Sequence, residues 1–90
     1  MAHTIRDKAK LLARVRRIHG QTTALATLLN SGTDCTAILQ QIAAIRGAVN
    51  GLMGAVIEGH LTDHVVREPQ MQQRQRDLEI VLQVLKSYLK

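Results

Sequence analysis

A long helical seam with too little chain to cover it constrains this sequence more than any other feature. Between Asp34 and Val66, apolar side chains recur at Ile38, Ile42, Ile45, Val49, Leu52 and Val56. Steps of four and three, with a mean period near 3.5, are the repeat of helices that pack lengthwise on other helices. No proline interrupts the stretch before Pro69. One helix of roughly thirty residues is expected, about 45–50 Å long at 1.5 Å per residue. A chain of 90 residues cannot cover such a helix with its own remaining sequence. A second copy is expected along the seam.

The flanks read as two shorter helices. The first runs from about residue 5 to 29, with Thr4 or Asp7 suited to its N-terminal turn. Its apolar face is Leu11, Leu12, Val15, Ile18, Thr22, Leu25 and Leu29. Asn30-Ser31-Gly32 stops it, and Thr33 or Asp34 caps the long helix, about 34–66. Pro69 breaks that helix. A third follows at about 71–89, with Leu78, Val81, Leu82, Leu85 and Tyr88 on its apolar face; the polar segment Gln70–Asp77 is expected to extend beyond the core. The chain is read as one all-α domain of three helices. Tyr88 is its single aromatic residue, so a core of Leu, Ile, Val, Ala and Met is marginal on its own.

Residues able to do chemistry lie at the two ends of the long helix. Cys35 is near its start; His60 and His64, spaced i,i+4, share a face near its end. Cys35 and His60 are 25 positions apart, about 37 Å along a helix. They cannot share a ligand within one chain. In an antiparallel helix pair, Cys35 of one copy meets His60 and His64 of the other. The crossing then falls near 47–50, where Gly47, Ala48 and Gly51 permit close approach. A symmetric dimer with two Cys/His sites is expected. The N-terminal His3, and the Ala2 amine exposed once Met1 is removed, add nitrogen donors. One thiolate among nitrogens suits nickel, cobalt or zinc; copper(I) prefers a second sulfur. Each group also has a plain reading: a buried cysteine is often only a small hydrophobe, and histidine pairs recur on helices without metal. His19 is read as structural.

The net charge is +5, and residues 6–17 account for it. Arg6, Lys8, Lys10, Arg14, Arg16 and Arg17 face one acid there, Asp7. Arg6, Lys10, Arg14 and Arg17 step by four, four and three into one stripe. A localised basic segment points to a polyanion, and the absence of stacking aromatics favours double-stranded DNA over single strands. A solvated helix face, or a nucleic-acid-binding or scaffolding bundle with no ligand site, fits the same charges. No nucleophilic triad, phosphate-cradling glycine loop or acid pair is visible, so an enzyme is not expected. A lone cysteine rules out an intrachain disulfide. With Arg46 and Asn50 interrupting the most apolar stretch, and no secretory signal, a cytoplasmic protein away from membranes is expected.

Three stretches resemble a known family. Arg14-Val15-Arg16-Arg17-Ile18-His19-Gly20-Gln21, then Cys35, then Leu39-Gln40-Gln41-Ile42-Ala43-Ala44-Ile45-Arg46-Gly47-Ala48-Val49-Asn50-Gly51-Leu52-Met53, with His60 and His64, look like the CsoR/RcnR/FrmR repressors. These small all-helical proteins sense copper(I), nickel/cobalt or formaldehyde. The resemblance spans nearly the whole chain, and Ala2–Lys8 and Val84–Lys90 look most like the nickel/cobalt branch. It implies a tetramer built from two antiparallel dimers, bound to promoter DNA without metal and released by nickel or cobalt, derepressing an efflux gene. The family's ligand positions fall on the Ala2 amine, His3, Cys35, His60 and His64. Lys10, Arg14, Arg16 and Arg17 are the expected DNA contacts. Copper sensors carry cysteine where this chain has His64. Formaldehyde sensors carry a glutamate there and a proline second in the chain; in such a sensor Cys35 would be the nucleophile and the N-terminal amine would trap the adduct. The nickel/cobalt branch has glutamates where this chain has Asp34 and Asp63.

Overall fold

The computed structural model describes residues 2–90, Ala2 by its backbone only, and Met1 lies outside the described residues. The elements are α1 (Ala2–Arg6), α2 (Lys8–Asn30), α3 (Cys35–Leu61), a π-helical turn (Thr62–Val66) that continues α3, and α4 (Met71–Tyr88). No strand occurs among the described residues, so the all-α class is observed. The first expected helix differs: it begins at Ala2 and is divided at Asp7. Backbone bonds run on through the division, from Asp7 N–H to His3 O and from Leu11 N–H to Asp7 O. The division is therefore a kink in one helical path, and Ala2 and His3 lie within it rather than ahead of it.

Gly32 sits at φ 70°, a left-handed conformation that favours glycine and reverses the chain after α2. Ser31 N–H bonds Thr27 O at 3.0 Å and Thr33 N–H bonds Leu28 O at 3.3 Å, which satisfies the last carbonyls of α2. Asp34 caps α3, its side chain accepting from Ala37 N–H at 3.1 Å. The helices then run antiparallel. Gln41 Nε2 donates to Gln21 O, Arg14 lies on Gly51, and His3 lies on Gly59. A Cβ at Gly51 would stand 2.9 Å from Arg14 Nη1. Gly51, expected at a crossing between copies, thus faces α2 of its own chain; Gly47 has nothing within 4 Å.

The far end of α3 widens before it stops. Arg67 N–H bonds Thr62 O at 3.0 Å, a five-residue step in place of four. After Pro69, α4 returns along α3, and the Tyr88 hydroxyl donates to Asn50 Oδ1. Of the polar segment Gln70–Asp77, expected to extend beyond the core, residues 70–72 and 75–76 are exposed, and Asp77 is the exception. Asp77 is buried against the end of α3, with Gln73 Nε2 on its carboxylate at 3.0 Å.

The chain is a plate of 56 × 29 × 13 Å, hardly thicker than one helix with its side chains, about 10–12 Å. One layer cannot enclose a core. Among the described residues Val81 is the sole buried hydrophobe, while Leu39, Ile42 and Val49 on α3 and Leu12 and Val15 on α2 stand exposed. Each such side chain gains about 1.5–3 kcal/mol when fully buried, so the layer is stabilised by whatever covers it. By length and composition alone, Cys35–Val66 is also apolar enough to cross a membrane. No such segment is expected from the sequence, where Arg46 and Asn50 interrupt this stretch. The apolar residues responsible include those of the packing seam.

Candidate metal centre

Three elements bring His3, His60 and His64 together in one chain. α1 carries His3, the last turn of α3 carries His60, and the π-helical turn carries His64. Their ligand atoms all lie within 4.8 Å of one another. The ring centroids are 5.9 Å (His3–His60), 5.3 Å (His3–His64) and 4.9 Å (His60–His64) apart. His3 is 1% exposed, although it is the third residue of the chain. It reaches that position because residue 59 is glycine. A Cβ there would stand 2.8 Å from His3 Nδ1 and 3.1 Å from its Cβ.

α4 closes the site. His60 Nε2 lies 2.9 Å from Asp77 O. A carbonyl only accepts, so Nε2 carries the proton and Nδ1 keeps the lone pair. The Asp77 carboxylate lies 3.9 Å from His64 Nδ1. His3 Nε2 and His64 Nε2 are buried with no hydrogen-bond partner. Buried nitrogens left unpaired are costly, by about 1–3 kcal/mol each, and call for an explanation. Burial, then the charges of His64 and His60, lower the pKa of His3 from 6.5. Its imidazole is thereby held neutral, the form that donates a lone pair. The residues fit a borderline divalent ion, for which neutral imidazole is a preferred ligand.

α1 is fixed by an ion pair as well. Arg6 Nη1 donates to both Asp63 oxygens at 2.9 Å. The Arg6 guanidinium holds the Asp63 carboxyl below its ordinary range.

The other expected residues lie elsewhere. Cys35 is exposed at the opposite end of α3, about 37 Å away by helical rise, so the cluster within one chain is all nitrogen. Ala2 opens α1, and the surroundings of its amine lie outside what is described. Asp34 serves as the α3 cap. Lys10, Arg14, Arg16 and Arg17 are exposed along α2. Arg6, expected in their stripe, is turned to Asp63 and Asp7 instead. Gly59, Asp77 and the Arg6–Asp63 pair were not foreseen from sequence. A glycine beside a histidine inside a helix was one signal available. An acid at position 77, in step with Val81 and Leu85 on an apolar stripe, was another.

A profile of metal-sensitive transcriptional repressors matches residues 7–87. The chain belongs to that family. RcnR, a transcriptional repressor of Escherichia coli K12, is 58% identical over 90 residues, covering all of both chains. The RcnR of Citrobacter koseri is also 58% identical over its full length, and that of Salmonella paratyphi B 57%. Among solved structures, a histidine-for-glutamate variant of the formaldehyde-responsive regulator FrmR from Salmonella enterica serovar Typhimurium superposes with a TM-score of 0.84. That match is 49% identical and covers 92% of this chain and 94% of the other. The chain is thus a metal-responsive transcriptional repressor, and its relatives are regulators rather than enzymes.

Proposed function

We propose that this repressor responds to nickel or cobalt, with zinc also suited to its donors, and controls a metal efflux gene in the cytoplasm. The observation that carries the reading is the meeting of His3, His60 and His64 with two buried nitrogens left unpaired. A nitrogen-rich set selects borderline ions over copper(I). The one-layer plate and exposed seam support an antiparallel dimer. In such a pair Cys35 of a second copy reaches the histidines, and the Ala2 amine lies one residue from His3. Two dimers then form the tetramer. Lys10, Arg14, Arg16 and Arg17 contact the phosphates of double-stranded promoter DNA in the metal-free protein. His3, His60 and His64 would hold the metal, whose charge would favour the seating of α1 on α3 and so the release of DNA.

A parallel titration tests this reading. DNA binding is followed while cobalt, nickel, zinc, copper(I) or formaldehyde is added. Release by cobalt and nickel at lower concentration than the others is expected. Release by formaldehyde alone assigns the chain to formaldehyde sensing, and no response to any of them leaves a DNA-binding bundle without a sensor.

A further inference from the structure

The ion pair that fixes α1 also removes a cation from the DNA face. Arg6 begins the basic segment and shares a concave strip with Lys10 and Arg14. Its Nη1 is committed to both oxygens of Asp63, and its Nε and Nη2 to Asp7 at 3.3 and 3.2 Å. The Asp63 side chain is 8% exposed, whereas that of Arg6 is 46% exposed. The carboxylate is therefore largely covered, with Arg67 Nη1 also 3.7 Å from it, whereas the guanidinium of Arg6 reaches solvent. Asp63 adjoins His64, and Arg6 lies three residues after His3. One ion pair thus spans the histidine cluster and the first turn of the basic segment.

A guanidinium recognises carboxylate and phosphate with the same fork of donors. The Nη1 donors that grip Asp63 cannot at the same time grip a phosphate. We propose that Arg6 exchanges between Asp63 and a DNA phosphate, so that Asp63 withholds one cation from DNA whenever α1 is seated on the histidine cluster. The proposal rests on the repressor reading above and adds the residue pair through which the site acts on DNA. Whatever seats His3 more firmly favours the Asp63 partner, and DNA that captures Arg6 unseats α1. The effect is reciprocal, as any coupling between binding sites must be. A purely structural ion pair leaves DNA affinity untouched.

The test is a double-mutant cycle in the full-length protein. Affinity for a labelled duplex from the region upstream of its own gene is measured against salt, for the wild type, Asp63→Asn, Arg6→Gln and the double variant. Release by cobalt is measured on the same four. Asp63→Asn should tighten metal-free binding by about two- to fivefold per chain engaged, the range of an ion pair with one solvent-exposed partner. The salt dependence should steepen by about one phosphate contact per chain. In the Arg6→Gln background the same change should tighten binding much less, by only what Arg67, the other cation on Asp63, gains, and Asp63→Asn should need more cobalt for release. Equal tightening in both backgrounds is a general charge effect and overturns the proposal, as does no tightening in either. If cobalt releases the wild type and Asp63→Asn alike, the exchange fails while the repressor reading stands. If cobalt does not release the wild type, both fail.

Discussion

Gly59→Ala is the change whose consequences follow most directly from the geometry. Two opposed effects act on different parts of the chain. Alanine inside a helix is favoured over glycine by about 0.8–1.0 kcal/mol, which stabilises α3. The new methyl stands 2.8 Å from His3 Nδ1 and 3.1 Å from His3 Cβ and Cγ. Contact with Cβ means that ring rotation alone cannot relieve the clash, so α1 must move. Forcing a methyl into a filled site costs about 1–3 kcal/mol. That cost falls on the seating of α1, which a five-residue helix can give up without unfolding the rest. The melting temperature should therefore stay level or rise. Hydrogen exchange at the end of α1, read at the Asp7 amide that bonds His3 O, should meanwhile speed up by roughly 5–150-fold, the same 1–3 kcal/mol as a ratio of rates. Gly20→Ala is the control, since nothing lies within 4 Å of its new methyl; it should gain the helix term and leave α1 exchange unchanged. Unaltered protection of α1 in Gly59→Ala would refute the seating of His3 on Gly59.

Other outcomes follow from the same structure. Cys35→Ala should remove a cobalt–thiolate charge-transfer band, because Cys35 is the only thiol in the sequence; a band that persists excludes Cys35 as a ligand. Arg14→Ala should weaken DNA binding and lower the salt slope by about one unit per lost phosphate contact per chain. Metal affinity in that variant should stay close to wild type, and the reverse pattern would mean the DNA face is misplaced. Stability should fall as pH drops through 6.5, the ordinary His3 value, because the lowered folded pKa leaves the unfolded chain holding more protons. The slope from His3 fades within about a pH unit above that value. Thermal melts on both sides of 6.5 check the sign, and His3→Gln should remove this part of the slope.

Periodicity and punctuation carried most of the fold into view. The seam from Ile38 to Val56 marks α3, Gly32 marks the reversal, and Pro69 follows the end of the long helix, because each acts through neighbours in sequence. Tertiary docking did not show in the same way. The kink at Asp7 accompanies contacts made by His3 and Arg6 with Gly59 and Asp63, partners more than fifty residues away. Periodicity along α2 carries no trace of them, so Arg6 looked like the next member of an exposed stripe. Asp77 likewise looked solvated with the polar run before it, since polarity alone cannot distinguish water from histidine as the partner. His60 and His64 could be paired from their spacing. His3 could be added only as a nearby nitrogen donor, and its place in the same chain's cluster depends on a glycine whose purpose is spatial. Gly51 has a partner that its sequence context did not show. Its small size suggested contact between copies, but the space it leaves holds Arg14.

The proposed switch turns on His3, which seats α1 in the histidine cluster. The most direct measurement follows cobalt binding and DNA release together in wild type and His3→Ala, with cobalt read by its visible spectrum and DNA by anisotropy. His60, His64 and a second copy's Cys35 remain in the variant, so it should still bind cobalt. Without the ring that seats α1 on Gly59, it should stay on DNA at cobalt concentrations that release the wild type. Cobalt binding with wild-type release would contradict the account and place the switch within α3.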